Sequence, residues 1–300
     1  MAYYVGIDGG GTRTTVGIAD ESGTELLRRI GPAGLVDAKR PSATVDLLVT
    51  LVRDAAGAAG LELPATALCA GLAGVGNATE RELVQEALER SGVADRVVVI
   101  SDGEAALDGA LGGGPGILLI AGTGSVAYGR SEDGRVEHCG GWGMILGDEG
   151  SGYRIGQAGL SAALLYADGR GAETKLLPGL MEALGLAIPD AIPPWAARAE
   201  KSEIALLAVH VLRLADRGDR VAREIVMEAA LDLGAHVGAL VERLGPWTST
   251  PAVVLHGGVA LDPVFSVHVA RVLRSCTTPV RLVASRADAV TGALEHARGL

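Results

Sequence analysis

Val5-Gly6-Ile7-Asp8-Gly9-Gly10-Gly11-Thr12-Arg13-Thr14-Thr15-Val16-Gly17-Ile18 reads as two apolar strands joined by a glycine-rich turn with a carboxylate at its start. Val5 and Ile7 before the turn, and Val16 and Ile18 after it, repeat with the period of two that marks strands. The flanks therefore predict a hairpin. A P-loop, by contrast, ends Gly-Lys-Ser/Thr and opens a helix, as does a dinucleotide GxGxxG. Gly9, Gly10 and Gly11 let backbone N–H groups approach a ligand with no Cβ in the way, and Thr12, Thr14 and Thr15 offer hydroxyl donors. Asp8 can hold a cation that offsets phosphate charge. The turn reads as a phosphate clamp, and the same residues also suit a plain tight turn.

The pattern recurs at the head of the second half. Gly116-Ile117-Leu118-Leu119-Ile120-Ala121-Gly122-Thr123-Gly124-Ser125-Val126-Ala127-Tyr128-Gly129 is again strand, glycine and hydroxyl turn, strand, with Ala121 where Asp8 stood. Two matching hairpins suggest two related domains. Between them the periodicities predict a third strand over 24–30, a helix over 42–57, a short strand over 67–73, a helix over 80–91 and a strand over 96–100. Gly112-Gly113-Gly114-Pro115-Gly116 cannot continue a helix and marks the expected domain boundary. Beyond the second hairpin, residues 155–244 are mostly helical, with an apolar stripe that reads as core packing. The chain closes with strands over 252–256 and 280–283 and helices over 263–274 and 287–297.

The 300 residues exceed the usual single-domain length, and 48% hydrophobic residues with only 3% aromatics call for a core of Ala, Val, Leu and Ile. A net charge of −10 argues against a general nucleic-acid or anionic-membrane binder, but it leaves room for a nucleotide held by local backbone dipoles. Cys69, Cys139 and Cys276 are scattered and lack CxxC spacing, which fits a reducing cytoplasm better than a disulfide framework or zinc site. The apolar runs are too short to span a bilayer, and the first residues do not have the pattern of a signal peptide.

Three further places carry chemistry. Asp102 closes a predicted parallel strand, where open α/β sheets bind ligands, and can act as a base toward a substrate hydroxyl. It can equally be the N-cap of the helix expected over 104–111. Residues 140–152 combine six glycines with Trp142, Asp148 and Glu149, a composition suited to a sugar whose C–H face packs on an aromatic ring while its hydroxyls bond acids. A long turn around a packed tryptophan is the alternative. His256-Gly257-Gly258-Val259 follows an apolar strand and offers a close-approach point for a flat adenosine, and Cys69 through Gly76 is a further glycine-rich strand end.

In this order, Ile7 to Thr12, Gly71 to Gly74, Ser101 to Ala106, Ile120 to Ser125, Gly140 to Gly152 and His256 to Val259 resemble the BadF/BadG/BcrA/BcrD ATPase family and, within it, the N-acetylglucosamine kinases. The resemblance implies an α/β fold of two ribonuclease H-like, actin-like ATPase domains with an interdomain cleft. They would be residues 1–114 and 115–300, the second with a helical insertion and a last helix that packs back on the first. It implies ATP and Mg²⁺ as cofactors. Asp8 is the expected metal residue, and Gly9, Gly10, Gly11 and Thr12 with Gly122, Thr123, Gly124 and Ser125 the two phosphate loops. Gly257 and Gly258 would lie near the adenosine, Asp102 would be the catalytic base, and Asp102, Gly141, Trp142 and Asp148 would contact the sugar.

The implied activity is phosphorylation of the 6-hydroxyl of N-acetylglucosamine or glucosamine by a cytoplasmic enzyme whose partner is a small amino sugar, and the resemblance admits a homodimer. Nucleic acid and membrane are not expected partners. Where many relatives carry an asparagine after the third strand, this chain reads Gly31-Pro32-Ala33-Gly34-Leu35-Val36, so the site is open to a different sugar. The sequence leaves two alternatives open. One is an ATP-driven activator of a 2-hydroxyacyl-CoA dehydratase or benzoyl-CoA reductase, for which the absence of cysteine between Cys139 and Cys276 is unfavourable. The other is a non-enzymatic nucleotide switch.

Overall fold

The computed structural model describes residues 2–36, 41–75, 78–275 and 277–300. Gly76 of the glycine-rich strand end and Cys276 lie outside the described residues. The chain divides into two compact units: residues up to Gly114 together with Ala284–Leu300, and Pro115–Val283.

In the first unit, β1 (Tyr3–Gly9), β2 (Thr14–Asp20), β3 (Glu25–Gly31), α1 (Pro41–Ala58), β4 (Ala67–Leu72), α2 (Ala78–Arg90), β5 (Val97–Ser101) and α3 (Asp102–Leu111) follow one another. The sheet order is β3-β2-β1-β4-β5. β1 and β2 form the antiparallel hairpin with Asp8 opposite Thr15, while β1, β4 and β5 run parallel. Val5, Ile7, Val16 and Ile18 are fully buried, as their alternation requires. The observed ends differ from those expected by one or two residues, the usual uncertainty of fraying termini. At α3 the earlier start has a specific cause, the hydrogen bonds of Ser101 with Glu104.

The second unit runs β6 (Gly116–Ala121), β7 (Ser125–Arg130), β8 (Val136–Gly140), α4 (Gly143–Leu146), α5 (Gly152–Ala167), α6 (Leu176–Leu184), α7 (Ile192–Ala196), α8 (Lys201–Leu206), α9 (Ala208–Asp216), α10 (Arg220–Leu244), β9 (Ala252–His256), α11 (Pro263–Arg274) and β10 (Arg281–Val283). Its sheet order, β10-β9-β6-β7-β8, repeats that of the first sheet strand for strand, with the same antiparallel and parallel pairings. The doubled hairpin is thus the visible part of a doubled sheet. β8 has no counterpart in the sequence reading, because Val136-Glu137-His138-Cys139-Gly140 lacks a clean alternation. The stripe of α10 is core as expected: Val226, Leu233, Val237, Leu240 and Leu244 are buried with Phe265 and Val269 of α11.

The last helix, α12 (Ala289–Arg298), belongs to the first unit. It lies on the β1 and β2 glycines so closely that a Cβ on Gly6 would come within 2.7 Å of the Leu294 nitrogen, and one on Gly17 within 2.6 Å of Val290. Among the described residues no single helix is long and apolar enough to cross a membrane.

Candidate active site

The first hairpin closes as the glycine run dictates. The Gly10 N–H donates to the Arg13 carbonyl at 3.0 Å, leaving Gly11 and Thr12 exposed at the tip. Asp8 sits half-buried one residue before the end of β1. The loop over 31–36 is tied to this turn, since the Gly34 N–H donates to the Gly10 carbonyl at 3.1 Å and the Val36 N–H to the Ala73 carbonyl at 3.0 Å. A side chain at position 34 would run into the Thr14 hydroxyl, so a carboxamide there has no room unless Thr14 turns away.

Asp102 stands at the expected strand end, where parallel strand β5 gives way to α3, and the cap is its neighbour Ser101. The Ser101 hydroxyl accepts from the Glu104 N–H at 3.1 Å, and the Glu104 carboxylate accepts from the Ser101 N–H at 2.8 Å. This capping box starts the helix at Asp102 rather than 104 and satisfies its end without Asp102. The Asp102 carboxylate accepts the Gly103 N–H at 2.9 Å and is half-buried. Burial raises its pKa, with the Gly103 N–H pulling the other way.

In the second unit, the turn between β6 and β7 is bound to the glycine loop behind it, with Ser125 as the hub. Its N–H donates to Asp148 Oδ1 at 3.2 Å, its hydroxyl to the Glu149 carbonyl at 2.6 Å, and its carbonyl accepts the Gly141 N–H at 3.0 Å. Both Ser125 donors are thus engaged within the unit and shape the turn. The Gly122 N–H likewise closes on the Gly124 carbonyl at 2.9 Å, whereas Thr123 is exposed.

The segment over 140–152 is not the plain loop expected but carries the one-turn helix α4. Trp142 at its start is 67% exposed and tilts toward His138, ring centroids 5.7 Å apart, with Tyr128 beyond at 5.9 Å from His138. Gly141 is exposed beside it. Asp148 lies deeper. It is buried, has φ +62°, the sole positive φ of a non-glycine among the described residues, and ion-pairs through Oδ2 with Lys201 Nζ at 2.6 Å. His236 of α10 packs against Gly140, with Nε2 3.7 Å from Glu149.

At the end of β9, Gly257 has φ +93°, and any Cβ there would collide with the Ala121 carbonyl, which accepts the Val259 and Ala260 N–H groups at 3.0 Å each. Gly258 and Val259 are thereby set beside Gly122 at the mouth of a cavity of about 390 Å³, walled by Ala205, Leu206, Val209 and Leu212. An apolar slot ending at a glycine turn suits a flat base with phosphates attached. The sequence reading missed its α8 and α9 wall, whose apolar residues look like core packing, and missed Lys201, which lies 77 positions after Gly124 with no motif around it.

The profile of the BadF/BadG/BcrA/BcrD ATPase family matches residues 5–297. The chain is 32% identical over 302 residues, 99% of each chain, to the N-acetylmuramic acid/N-acetylglucosamine kinase of Clostridium acetobutylicum. It is 28% identical over 276 residues, 84% of this chain and 89% of the other, to a glucosamine kinase of Vibrio cholerae. Among solved structures it resembles a Chromobacterium violaceum protein provisionally named an N-acetylglucosamine kinase, with TM-score 0.78, 31% identity and 98% of each chain covered.

Proposed function

Because this chain belongs to the BadF/BadG/BcrA/BcrD ATPase family, we propose that it is an ATP-dependent kinase that phosphorylates the 6-hydroxyl of an amino sugar, N-acetylglucosamine or glucosamine. The observation that carries this reading is Asp102, a strand-end carboxylate that the helix cap beside it does not use and whose pKa burial raises. The names of the relatives support the substrate class.

In the first unit, Asp102 accepts the proton of the 6-hydroxyl as that oxygen bonds to the γ-phosphorus and the bond to the β–γ bridging oxygen breaks, releasing ADP. Gly11 and Thr12, exposed at the tip, contribute phosphate donors, and Gly9 and Gly10 shape the turn that presents them. In the second unit, Thr123 and Gly124 do the same, with Gly122 and Ser125 fixing their turn, and Gly258 borders the base slot with Gly257 turning the chain into it. Trp142 offers its exposed ring to the sugar face, with Gly141 and Asp148 as polar partners.

Asp8 fits Mg²⁺, which takes one or two carboxylates and completes its shell with waters and phosphate oxygens. No cluster of three or more His, Cys, Asp or Glu that could hold a metal by itself occurs among the described residues. When bound, the ion neutralises charge on the triphosphate. The dehydratase-activator alternative needs cysteine thiolates, and the two described cysteines do not fit it. Cys69 is buried in β4 and Cys139 is part-buried in β8, with burial raising both thiol pKa values.

A coupled ADP-release screen over glucosamine, N-acetylglucosamine, N-acetylmuramic acid, N-acetylmannosamine and glucose tests the reading. ADP release stimulated by an amino sugar is expected, and none with any sugar overturns it. Asp102→Asn should retain nucleotide binding and lose about 10²- to 10⁴-fold in turnover, the contribution of a general base. Near wild-type turnover would remove Asp102 from that role.

A further inference from the structure

Lys201 stands out on two grounds. The chain has 23 arginines and three lysines, and one of the three touches the second glycine turn. A Cβ on Gly124 would lie 3.0 Å from Lys201 Nζ and 2.6 Å from Asp148 Oδ1, so ammonium and carboxylate both press on the turn where its backbone is barest. Lys201 opens α8, whose next residues Ser202, Ala205 and Leu206 wall the apolar slot. One short helix thus faces the slot along its length and delivers a cation to the turn at the slot's end.

A surface ion pair would need no explanation, but this one is not of that kind. Asp148 is 4% exposed in its side chain, and Lys201 retains 33% exposure. The carboxylate is fixed at its other oxygen by the Ser125 N–H and by its own left-handed backbone. The ammonium sits on a flexible four-carbon stem with three donors, and its 2.6 Å approach to Asp148 Oδ2 is an ion pair without hydrogen-bond geometry. An arginine fork would bind the carboxylate with both arms, whereas a lysine can exchange partners.

We propose that Lys201 is a nucleotide-phosphate ligand that Asp148 holds in reserve. This rests on the reading of Gly122, Thr123 and Gly124 as a phosphate loop. In the nucleotide-free protein the ammonium neutralises the buried carboxylate. Phosphate oxygens arriving at the turn take over the ammonium's donors, and an Asp148 oxygen is released toward the loop that carries Trp142. Nucleotide and Asp148 therefore compete for one cation. By linkage, whatever the nucleotide does to the availability of Asp148, a ligand on Asp148 does to the nucleotide.

Calorimetric titration of the full chain with adenosine and with AMPPNP, a non-hydrolysable ATP analogue, tests this. Lys201→Met should weaken AMPPNP about ten-fold or more while leaving adenosine within two-fold. Asp148→Asn, which removes the competitor and keeps an oxygen for the Ser125 N–H, should tighten AMPPNP. Opposite signs are required. If both substitutions weaken AMPPNP and adenosine alike, or if Lys201→Met binds AMPPNP as wild type does, the assignment is overturned. Should Lys201→Met fail to fold by circular dichroism, Lys201→Gln and Lys201→Arg carry the same comparison, with the arginine retaining part of the phosphate affinity. Wild-type protein that binds no AMPPNP would instead overturn the nucleotide reading itself.

Discussion

Asp102 has a thermodynamic consequence separate from its chemistry. Its pKa is raised in the folded protein from an ordinary value of 3.8, so the folded state holds its proton more tightly than the unfolded chain does. The favourable contribution is therefore complete below pH 3.8 and is lost as pH rises through the elevated folded value. Above that elevated value the ionised, half-buried carboxylate destabilises the fold. Asp102→Asn should accordingly melt higher than wild type at pH 7, with the gap shrinking as pH approaches 4. Thermal melts at the two values check this, and a lower melting temperature for Asp102→Asn at pH 7 would contradict a raised pKa. The sequence places Asp102 at the strand end but leaves base and cap undecided. Ser101 and Glu104 assign the cap, and their Ser-x-x-Glu spacing is the kind of local signal from which a capping box can be read. Lys201 was not read from the sequence, because its partner Asp148 is 53 residues away and is brought to it by the fold.

Among the elements, α3 and α12 meet through glycines. A Cβ on Gly292 would overlap the Ala105 carbonyl and lie against Gly109, and one on Gly109 would overlap the Asp288 carbonyl. Gly71 of β4 likewise admits Ala105, since a Cβ added there would stand only 2.5 Å from the Ala105 Cβ. Backbone contact at these points sets how deeply the helix carrying Asp102 sits on its sheet. Gly292→Val should cost about 1–3 kcal/mol, as overpacking of a close interface does. It should lower the first unit's denaturant midpoint, and an unchanged midpoint would show that α12 can shift at no cost. Gly71 was read from the sequence only as part of a glycine-rich strand end, and Gly109 and Gly292 were passed over. A helix glycine whose role is to admit another backbone leaves no local pattern, whereas the hairpin glycines, flanked by alternating apolar residues, announce themselves.

At the scale of the whole molecule, the same five-strand order appears twice, and the chain's last 17 residues return to the first unit. Deleting residues 284–300 strips the cover from Gly6, Gly17 and α3 while leaving the second unit's buried stripe of α10 and α11 intact. Hydrogen exchange of the truncated chain should show lost protection in β1, β2 and α3 with α10 still protected. Equal loss in both would mean that the two cores unfold as one. Duplication was readable because each copy opens with its own glycine hairpin. The helical run between β8 and β9 was readable as helix but not as a binding wall, since apolar residues facing a slot and apolar residues facing a core obey the same spacing.

The chain's three tryptophans differ in their access to water. Trp142 is 67% exposed, while Trp195 and Trp247 are part-buried, the latter with its indole N–H donating to the Val241 carbonyl at 2.8 Å. The protein therefore carries a built-in optical reporter. Iodide in solution should quench the red-edge emission of Trp142 and spare most of the remainder. A sugar laid on that ring should shield it, so occupancy of the site could be followed by light without a label.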